Sequence, residues 1–545
     1  MRNVRCMPDT PPRECLEQAH LEISSRLLMA TLREDLGGWG RRAERRDRAT
    51  HLAGLRFEES LPTSMGRFQF ERFPTLEGEP IARVEQLLDF LDLSGGAGLR
   101  EEVSESARNL ALALAAKQER VAGPALAAWD AHRRRHSGAS CLAFFEQLVF
   151  RGHPIHPGAK LRKGMSPEEQ RRWAPEWGVQ FRLPLVGLEP HEAVAVGARE
   201  ALSEAFPELD PSFAWVPVHP WQLKHVIPAL GLDRRIAEGC AVRPSMSLRT
   251  LLPAERGAVP HFKTALAVQI TGAVRTVSTQ AAWNGPRLTR LLAELGFASS
   301  SLAILEEMGS IHWRHNDPDV AKLVSAVLRQ NPESVSREDD LLMPAAALIE
   351  WIDGGPLVAE IVGQGCPVSW LREYAAALLR PLIRLMTTYG IALEGHLQNI
   401  VVRFRPGQAP YFFYRDFGGI RIFPPRLQCH CKDELEFAPG SATVTHELEE
   451  LWSKIIYPVL QNHLGELIRA LTLHFETPEA ALWEPIRALL EEHLRRPEER
   501  DRFLAPHWRL KAMTRMRLRE QVTEYSYGEV RSPLWRAQVD RPRRH

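Results

Sequence analysis

Glu394-Gly-His396-Leu-Gln398-Asn399 runs into Ile400-Val-Val-Arg-Phe404, then Pro406-Gly-Gln-Ala-Pro410, Tyr411-Phe-Phe-Tyr414 and Arg415-Asp416-Phe-Gly-Gly419. The two apolar runs read as strands, and the proline- and glycine-rich segment between them reads as the loop of a hairpin. That pairing brings Asn399 and Asp416 to one end of the sheet. An amide oxygen beside a carboxylate, next to a glycine pair, suits Mg²⁺ carrying a nucleotide polyphosphate, because Mg²⁺ takes few protein oxygens and keeps the rest of its shell for water and phosphate. Glu394, His396 and Gln398 alternate, so in an extended segment they share a face. His396 there serves as a base or as a hydrogen-bond donor to a carboxylate. The bland alternative is a histidine and amides satisfied by backbone at a strand end.

Around this unit the chain has 545 residues, too many for one core, which implies two to four domains. A formal net charge of +1 gives no electrostatic case for nucleic acid or an anionic membrane as partner. The most apolar long stretch, 374–393, is broken by Arg380 and Arg384, and the N-terminus lacks an apolar signal core, so the expected location is cytoplasmic. Seven scattered cysteines fit reduced thiols, and Cys429-His430-Cys431 lacks further ligands at workable spacing for a metal.

Apolar periodicity predicts helix over roughly the first 60 residues, over 100–150, and over 368–388, 446–473 and 478–495. Alternation predicts a strand at 67–73, and short β-like runs separated by prolines and turn residues predict strands at 179–188, 213–218, 264–270 and 274–278. Ser94-Gly-Gly-Ala-Gly98 reads as a turn, and Arg541 to His545 as a solvated basic tail.

The polar motifs lie mostly between about 150 and 300. Gly152-His153-Pro-Ile-His156-Pro-Gly-Ala-Lys160-Leu-Arg162-Lys-Gly164 is either a polyphosphate clamp or a basic surface loop. His219, in Val216-Pro-Val-His219-Pro-Trp221, reads as a packed histidine and Trp221 as core. Pro244-Ser-Met-Ser247-Leu-Arg249-Thr250 offers two hydroxyls and a guanidinium to phosphate oxygens; alternatively Ser245 or Ser247 caps an ordinary helix. Lys263 opens one strand and Arg275 lies in the next, with Thr271-Gly272 as the turn, so the two cations project from adjacent strands. Burying them calls for anionic partners, unless they face solvent. Asp416-Phe417-Gly418 also spells the Mg²⁺-binding tripeptide of protein kinases, but no glycine-rich loop or V-A-I-K-like lysine strand accompanies it, and His396-Leu-Gln-Asn399 has no aspartate for a catalytic base.

Taken in order, these motifs closely resemble the IucA/IucC family of siderophore synthetases, which work independently of nonribosomal peptide synthetases; the resemblance runs from about 150 to 425. It implies an α+β, cupped-hand architecture: a helical thumb over 1–145, α/β fingers with an antiparallel sheet over 146–335, and a mainly helical palm over 336–545 carrying the hairpin. It implies an ATP- and Mg²⁺-dependent ligase of iron acquisition, which adenylates a carboxylate of citrate or a related acid. An amine or hydroxyl nucleophile (polyamine, amino acid or hydroxamate) then gives an amide or ester, with AMP and pyrophosphate. Members are often homodimers. Carried over residue by residue, Ser247, Arg249 and Thr250 match phosphate contacts and Lys263 a lysine near the α-phosphate. Arg275 matches the arginine bridging phosphate and acid, His396 an acyl-substrate contact, and Thr271 a carboxylate contact. Gln398, Asn399 and Asp416 match nucleotide contacts, with Glu394, Asn399 and Asp416 the metal oxygens. His156, preferred to His153, with Lys160 and Arg162, completes the set. The chain departs from the family pattern in being somewhat short, so that a peripheral element is expected to be trimmed, and in Leu397, where a small residue is common and the acyl pocket is expected to change. The rivals are a kinase-like phosphotransferase and a non-catalytic nucleotide- or siderophore-binding homologue.

Overall fold

A computed structural model describes residues 11–46, 49–58, 60–93, 97–297, 299–431, 436–519 and 526–536. The basic tail and residues 94–96 of the expected glycine turn lie outside the described residues.

The element that positions the site is an eight-stranded antiparallel sheet. Its strands follow the order Ala193–Val196, Glu307–Trp313, Ser325–Arg329, His261–Thr264, Thr250–Pro253, Ile236–Pro244, Phe181–Leu188 and Ala214–Pro217. Alternate residues point to opposite faces of a strand, and the register decides which. Phe262 pairs with Leu328 and Leu251. These three enter the core with Leu185, Val216 and Val242, covered by Ala198, Leu202 and Phe206 from and beside the helix Ala198–Ala205. Thr250 pairs with Lys263 and His261 with Arg329. Thr250, Lys263 and Arg329 therefore share the opposite face, which turns toward the second half of the chain.

That second half is built on helices. Pro367–Arg384, Leu448–Ile455, Gly465–Phe475 and Glu479–His493 surround a four-stranded sheet ordered Leu302–Ile304, Tyr411–Tyr414, Ile400–Phe404, Leu341–Pro344. Tyr374, Leu378, Leu382, Val459, Leu467 and Ile486 form its core with Ile400, Val402, Phe412 and Tyr414. The long 448–475 helix is not uniform: Ile456–Leu464 is π-helical, around Pro458, whose missing N–H removes one ladder bond. The helix Pro367–Arg384 likewise ends in a π turn, Leu385–Tyr389, closed by Gly390 at φ +68°. A Cβ at Gly390 would lie 2.7 Å from the Phe423 carbonyl oxygen, so the close approach requires glycine.

Two expectations are corrected here. Helix does not persist through the first 60 residues: after Arg13–Arg33 and Trp39–Arg42 the chain forms short strands, including Ala49–Leu52 and Leu55–Glu58. Ala53 and Gly54 make a two-residue turn with both φ positive, and Leu52, Leu55 and Phe57 supply the alternating buried face. The expected strand 264–270 is broken at Ala265. His261–Thr264 belongs to the large sheet, whereas Leu266–Ile270 pairs with Ala273–Arg275 and Arg162–Lys163 in a separate one. Lys263 and Arg275 thus project from different sheets, not from adjacent strands of one.

Candidate active site

The hairpin forms as its sequence predicts, with Ile400 opposite Tyr414 and the Arg415 N–H donating to the Asn399 carbonyl at 2.9 Å. Asn399 and Asp416 therefore leave the sheet together. Asp416 sits at φ +79°, its Oδ1 accepts the Gly418 N–H at 3.2 Å, and the Tyr414 hydroxyl donates to its carbonyl at 2.9 Å. Its Oδ2 is 2.6 Å from Lys263 Nζ and 3.8 Å from Arg329 Nη2. Arg329 also lies 3.2 Å from Glu307 Oε1. Burial raises the Asp416 pKa, but Lys263, Arg329 and Arg249 together outweigh it and hold the carboxyl well below the usual range. Burial likewise lowers the Lys263 pKa, with Asp416 opposing it in part.

Facing this carboxylate is the turn 245–249. Ser245 Oγ and Ser247 Oγ are 2.9 Å apart, Ser247 Oγ donates to Thr250 Oγ1 at 3.0 Å, and buried Leu248 is held at φ +68°. No helix follows: Thr250 starts the next strand, which removes the helix-cap alternative. Arg249 donates to the Thr276 carbonyl at 2.5 Å, tying this turn to the strand that carries Arg275. Burial lowers its pKa to about 10, so it stays charged near neutrality. Arg275 makes no ion pair within 4.0 Å among the described residues, though Asp416 acts on it through space. Thr271, at φ +60°, turns the same hairpin. Buried His156 lies within electrostatic reach of Arg275. Lys160 and Arg162 instead face buried Glu176, at 3.6 Å and 2.6 Å, which gives their charges a protein partner.

His396 presents a defined tautomer. Its Nδ1 accepts the N–H groups of Gln398 and Asn399 at 3.2 and 3.3 Å, so the proton of the neutral ring is assigned to Nε2. Burial lowers its pKa, with Glu394 and Asp416 opposing in part. The donor role is thereby favoured over the base role. Asn399 Nδ2 donates to the Glu394 carbonyl at 3.1 Å, which leaves Oδ1 for an electropositive ligand. Glu394 Oε1 is 3.4 Å from Lys454 Nζ, and a Cβ at Gly419 would lie 1.8 Å from Glu394 Oε2. Beneath the loop, His463 Nδ1 bonds the Gly395 carbonyl at 3.0 Å and Nε2 the Tyr374 hydroxyl at 2.8 Å. Leu397 is buried in the apolar core of the second half of the chain, and its carbonyl accepts the Ala346 N–H. Cys429-His430-Cys431 follows the short helix Pro424–Leu427, and no group of three metal-ligating His, Cys, Asp or Glu occurs among the described residues. His219 and Trp221 are buried as expected.

Sequence reading brought together Arg249, Lys263, Arg275, His396, Asn399 and Asp416. It missed Arg329, Lys454 and His463. Arg329 leaves no local signal, because every residue of Ser325–Arg329 is buried and its sequence shows no alternation of polar and apolar side chains.

The buried histidines give a pH prediction. Burial pushes His219 and His261 to about 3, and His156 and His463 to about 4. In the unfolded chain they titrate near 6.5. Below that pH the unfolded state binds more protons than the folded one, so their contribution to stability is complete above pH 6.5 and is lost as pH falls toward 4. Each histidine contributes up to about 1.4 kcal/mol per pH unit in that window. Tm is expected to drop steadily between pH 6.5 and 4.5; an unchanged Tm over that range contradicts the neutral, buried assignment.

The fold is that of solved siderophore synthetases. The petrobactin biosynthesis protein AsbB of Bacillus anthracis str. Sterne matches with a TM-score of 0.80 at 19% identity, over 96% of each chain. ATP-bound aerobactin synthetase IucA of Klebsiella pneumoniae matches with a TM-score of 0.75 at 22% identity, over 94% of this chain and 100% of that one. By sequence, the D-ornithine–citrate ligase of Staphylococcus aureus is 29% identical over 459 residues, 72% of this chain and 70% of that protein. Residues 141–350 match the profile of the IucA / IucC family. Residues 368–526, which include the hairpin, match a second profile, described as ferric iron reductase FhuF-like transporter.

Proposed function

We propose that the protein is an ATP-dependent ligase of siderophore biosynthesis that adenylates a carboxylate of citrate or a related acid and joins it to an amine or hydroxyl nucleophile. The observation that carries this reading is the convergence of Arg249, Lys263, Arg275 and Arg329 on the Asp416 end of the hairpin, beside Asn399 and His396. An acid such as citrate and ATP are both polyanions, and their approach needs dense positive charge fixed before they arrive. The citrate-ligase name of the Staphylococcus relative and the ATP-bound state of the IucA structure support the same substrates.

In this reading the cleft lies between fingers (146–335) and palm (336–545), with 1–145 as thumb, and the enzyme works in the cytoplasm. Among the described residues no helix is long and apolar enough to cross a membrane. Ser247, Arg249 and Thr250 hold phosphate oxygens. Gln398 adds a nucleotide contact, and Asn399 Oδ1, Asp416 and Glu394 are the oxygens that would hold Mg²⁺, which supplies charge neutralisation on the polyphosphate. Thr271 and Arg275 bind the acid, and His396 Nε2–H donates to it. One carboxylate oxygen attacks the α-phosphorus and pyrophosphate leaves, while Lys263 and Arg249 offset the charge gathering on the α-phosphoryl oxygens. The nucleophile then attacks the acyl carbon and AMP departs. Lys160 and Arg162, paired with Glu176, shape the wall that carries His156.

The kinase-like rival predicts ADP. Phosphorus NMR of reactions with citrate, 2-oxoglutarate and succinyl derivatives, trapped with hydroxylamine, is expected to show AMP and pyrophosphate with at least one acid. ADP as the product would favour the phosphotransferase, and no turnover with any acid the binding homologue.

A further inference from the structure

Glu146 ends the short helix Cys141–Glu146 and is fully buried, as are Leu142, Ala143 and Phe145 of the same helix. A carboxylate in that setting is costly unless its partners are well placed. Its Oε2 accepts the Met246 N–H at 2.9 Å, and its Oε1 lies 2.5 Å from Arg415 Nη2. Met246 immediately precedes Ser247 in the phosphate turn. Arg415 immediately precedes Asp416, is itself only 4% exposed, and donates from Nε and Nη2 to the Gln398 carbonyl at 3.0 and 2.9 Å. One carboxylate therefore touches the turn 245–249 on one wall and, through a single guanidinium, the two chain segments that meet at the open end of the hairpin on the other. Neither Thr271 nor Arg275 has a bond to it.

We infer that Glu146 is a positioning residue for the nucleotide: it fixes the separation between the Ser247–Thr250 hydroxyls and the Gln398, Asn399 and Asp416 wall. The inference rests on the nucleotide reading given above. Its physical content is directional. Loss of the strut loosens the grip on the polyphosphate, which spans the two walls, and leaves the acid contacts on the Thr271–Arg275 hairpin in place.

The test uses full-length Glu146→Gln, Arg415→Lys and the double variant. Circular dichroism checks the fold, calorimetry gives the ATP dissociation constant, and steady-state kinetics gives KM for ATP and for the acid. Glu146→Gln keeps an acceptor for the Met246 N–H and loses the charge facing Arg415. Arg415→Lys keeps the charge and loses the fork on the Gln398 carbonyl, so it stands in if Glu146→Gln does not fold. Each folded single variant is expected to bind ATP at least tenfold more weakly with the acid KM within twofold, and the double variant to be no worse than the weaker single one. Wild-type ATP affinity in a folded variant, or equal rises in both KM values, overturns the inference. Failure of the wild-type protein to bind ATP overturns the nucleotide reading instead.

Discussion

Lys263→Met is expected to lower pyrophosphate release by about a thousandfold while the protein stays folded. The side chain is only 8% exposed, and its ammonium is 2.6 Å from Asp416. Methionine fills nearly the same volume, and Asp416 keeps Arg329 at 3.8 Å and the field of Arg249. Stability therefore falls modestly. The catalytic loss is larger because a fixed cation beside a phosphoryl group undergoing attack is worth on the order of 4 kcal/mol, about three powers of ten in rate. Single-turnover pyrophosphate release, compared with the near-ultraviolet circular dichroism of the same sample, measures both. Activity within tenfold of wild type would remove Lys263 from the reaction.

Arg275→Ala is expected to lower kcat/KM for the acid by about two to three powers of ten, with ATP affinity changed less than fivefold. Its guanidinium has no ion-pair partner within 4.0 Å among the described residues, so its removal leaves no protein carboxylate stranded. The charge it supplies is instead available to an incoming anion, and a bidentate carboxylate contact is the geometry arginine suits best. Thermal unfolding should shift by no more than a few degrees. A loss in ATP binding equal to the loss in acid binding would move Arg275 from the acid to the nucleotide.

The parts of this site legible in the sequence are those whose signals are local. The hairpin was readable because Ile400-Val-Val and Tyr411-Phe-Phe-Tyr414 are apolar runs of strand length around a proline–glycine loop, and that fixed where Asn399 and Asp416 emerge. Lys263 and Arg275 were found as cations in strand-like runs, but the break at Ala265 carries neither proline nor glycine, so their separation into two sheets left no mark. Arg329 and Glu146 are single charged residues within apolar surroundings. Their meaning lies entirely in distant partners, Asp416 and Arg415, which only the folded chain supplies. The π-helical stretch that brings His463 to Gly395 looks like ordinary amphipathic helix in sequence, because its departure lies in hydrogen bonding rather than in apolar period. The early hairpin was missed for a plainer reason. Its Ala53-Gly54 turn joins two strands of only four residues each, Ala49–Leu52 and Leu55–Glu58, too short for a period of two to stand out in sequence.

Every role proposed for these side chains depends on one bond, from the acid's own carboxylate oxygen to the α-phosphorus of ATP. The deciding experiment supplies citrate, or whichever acid of the panel turns over, labelled with ¹⁸O in its carboxylates, together with ATP, Mg²⁺ and hydroxylamine, and weighs the nucleotide product by mass spectrometry. The proposed mechanism predicts AMP carrying one ¹⁸O and unlabelled pyrophosphate. Unlabelled AMP, or ADP with the label left on phosphate, would contradict it.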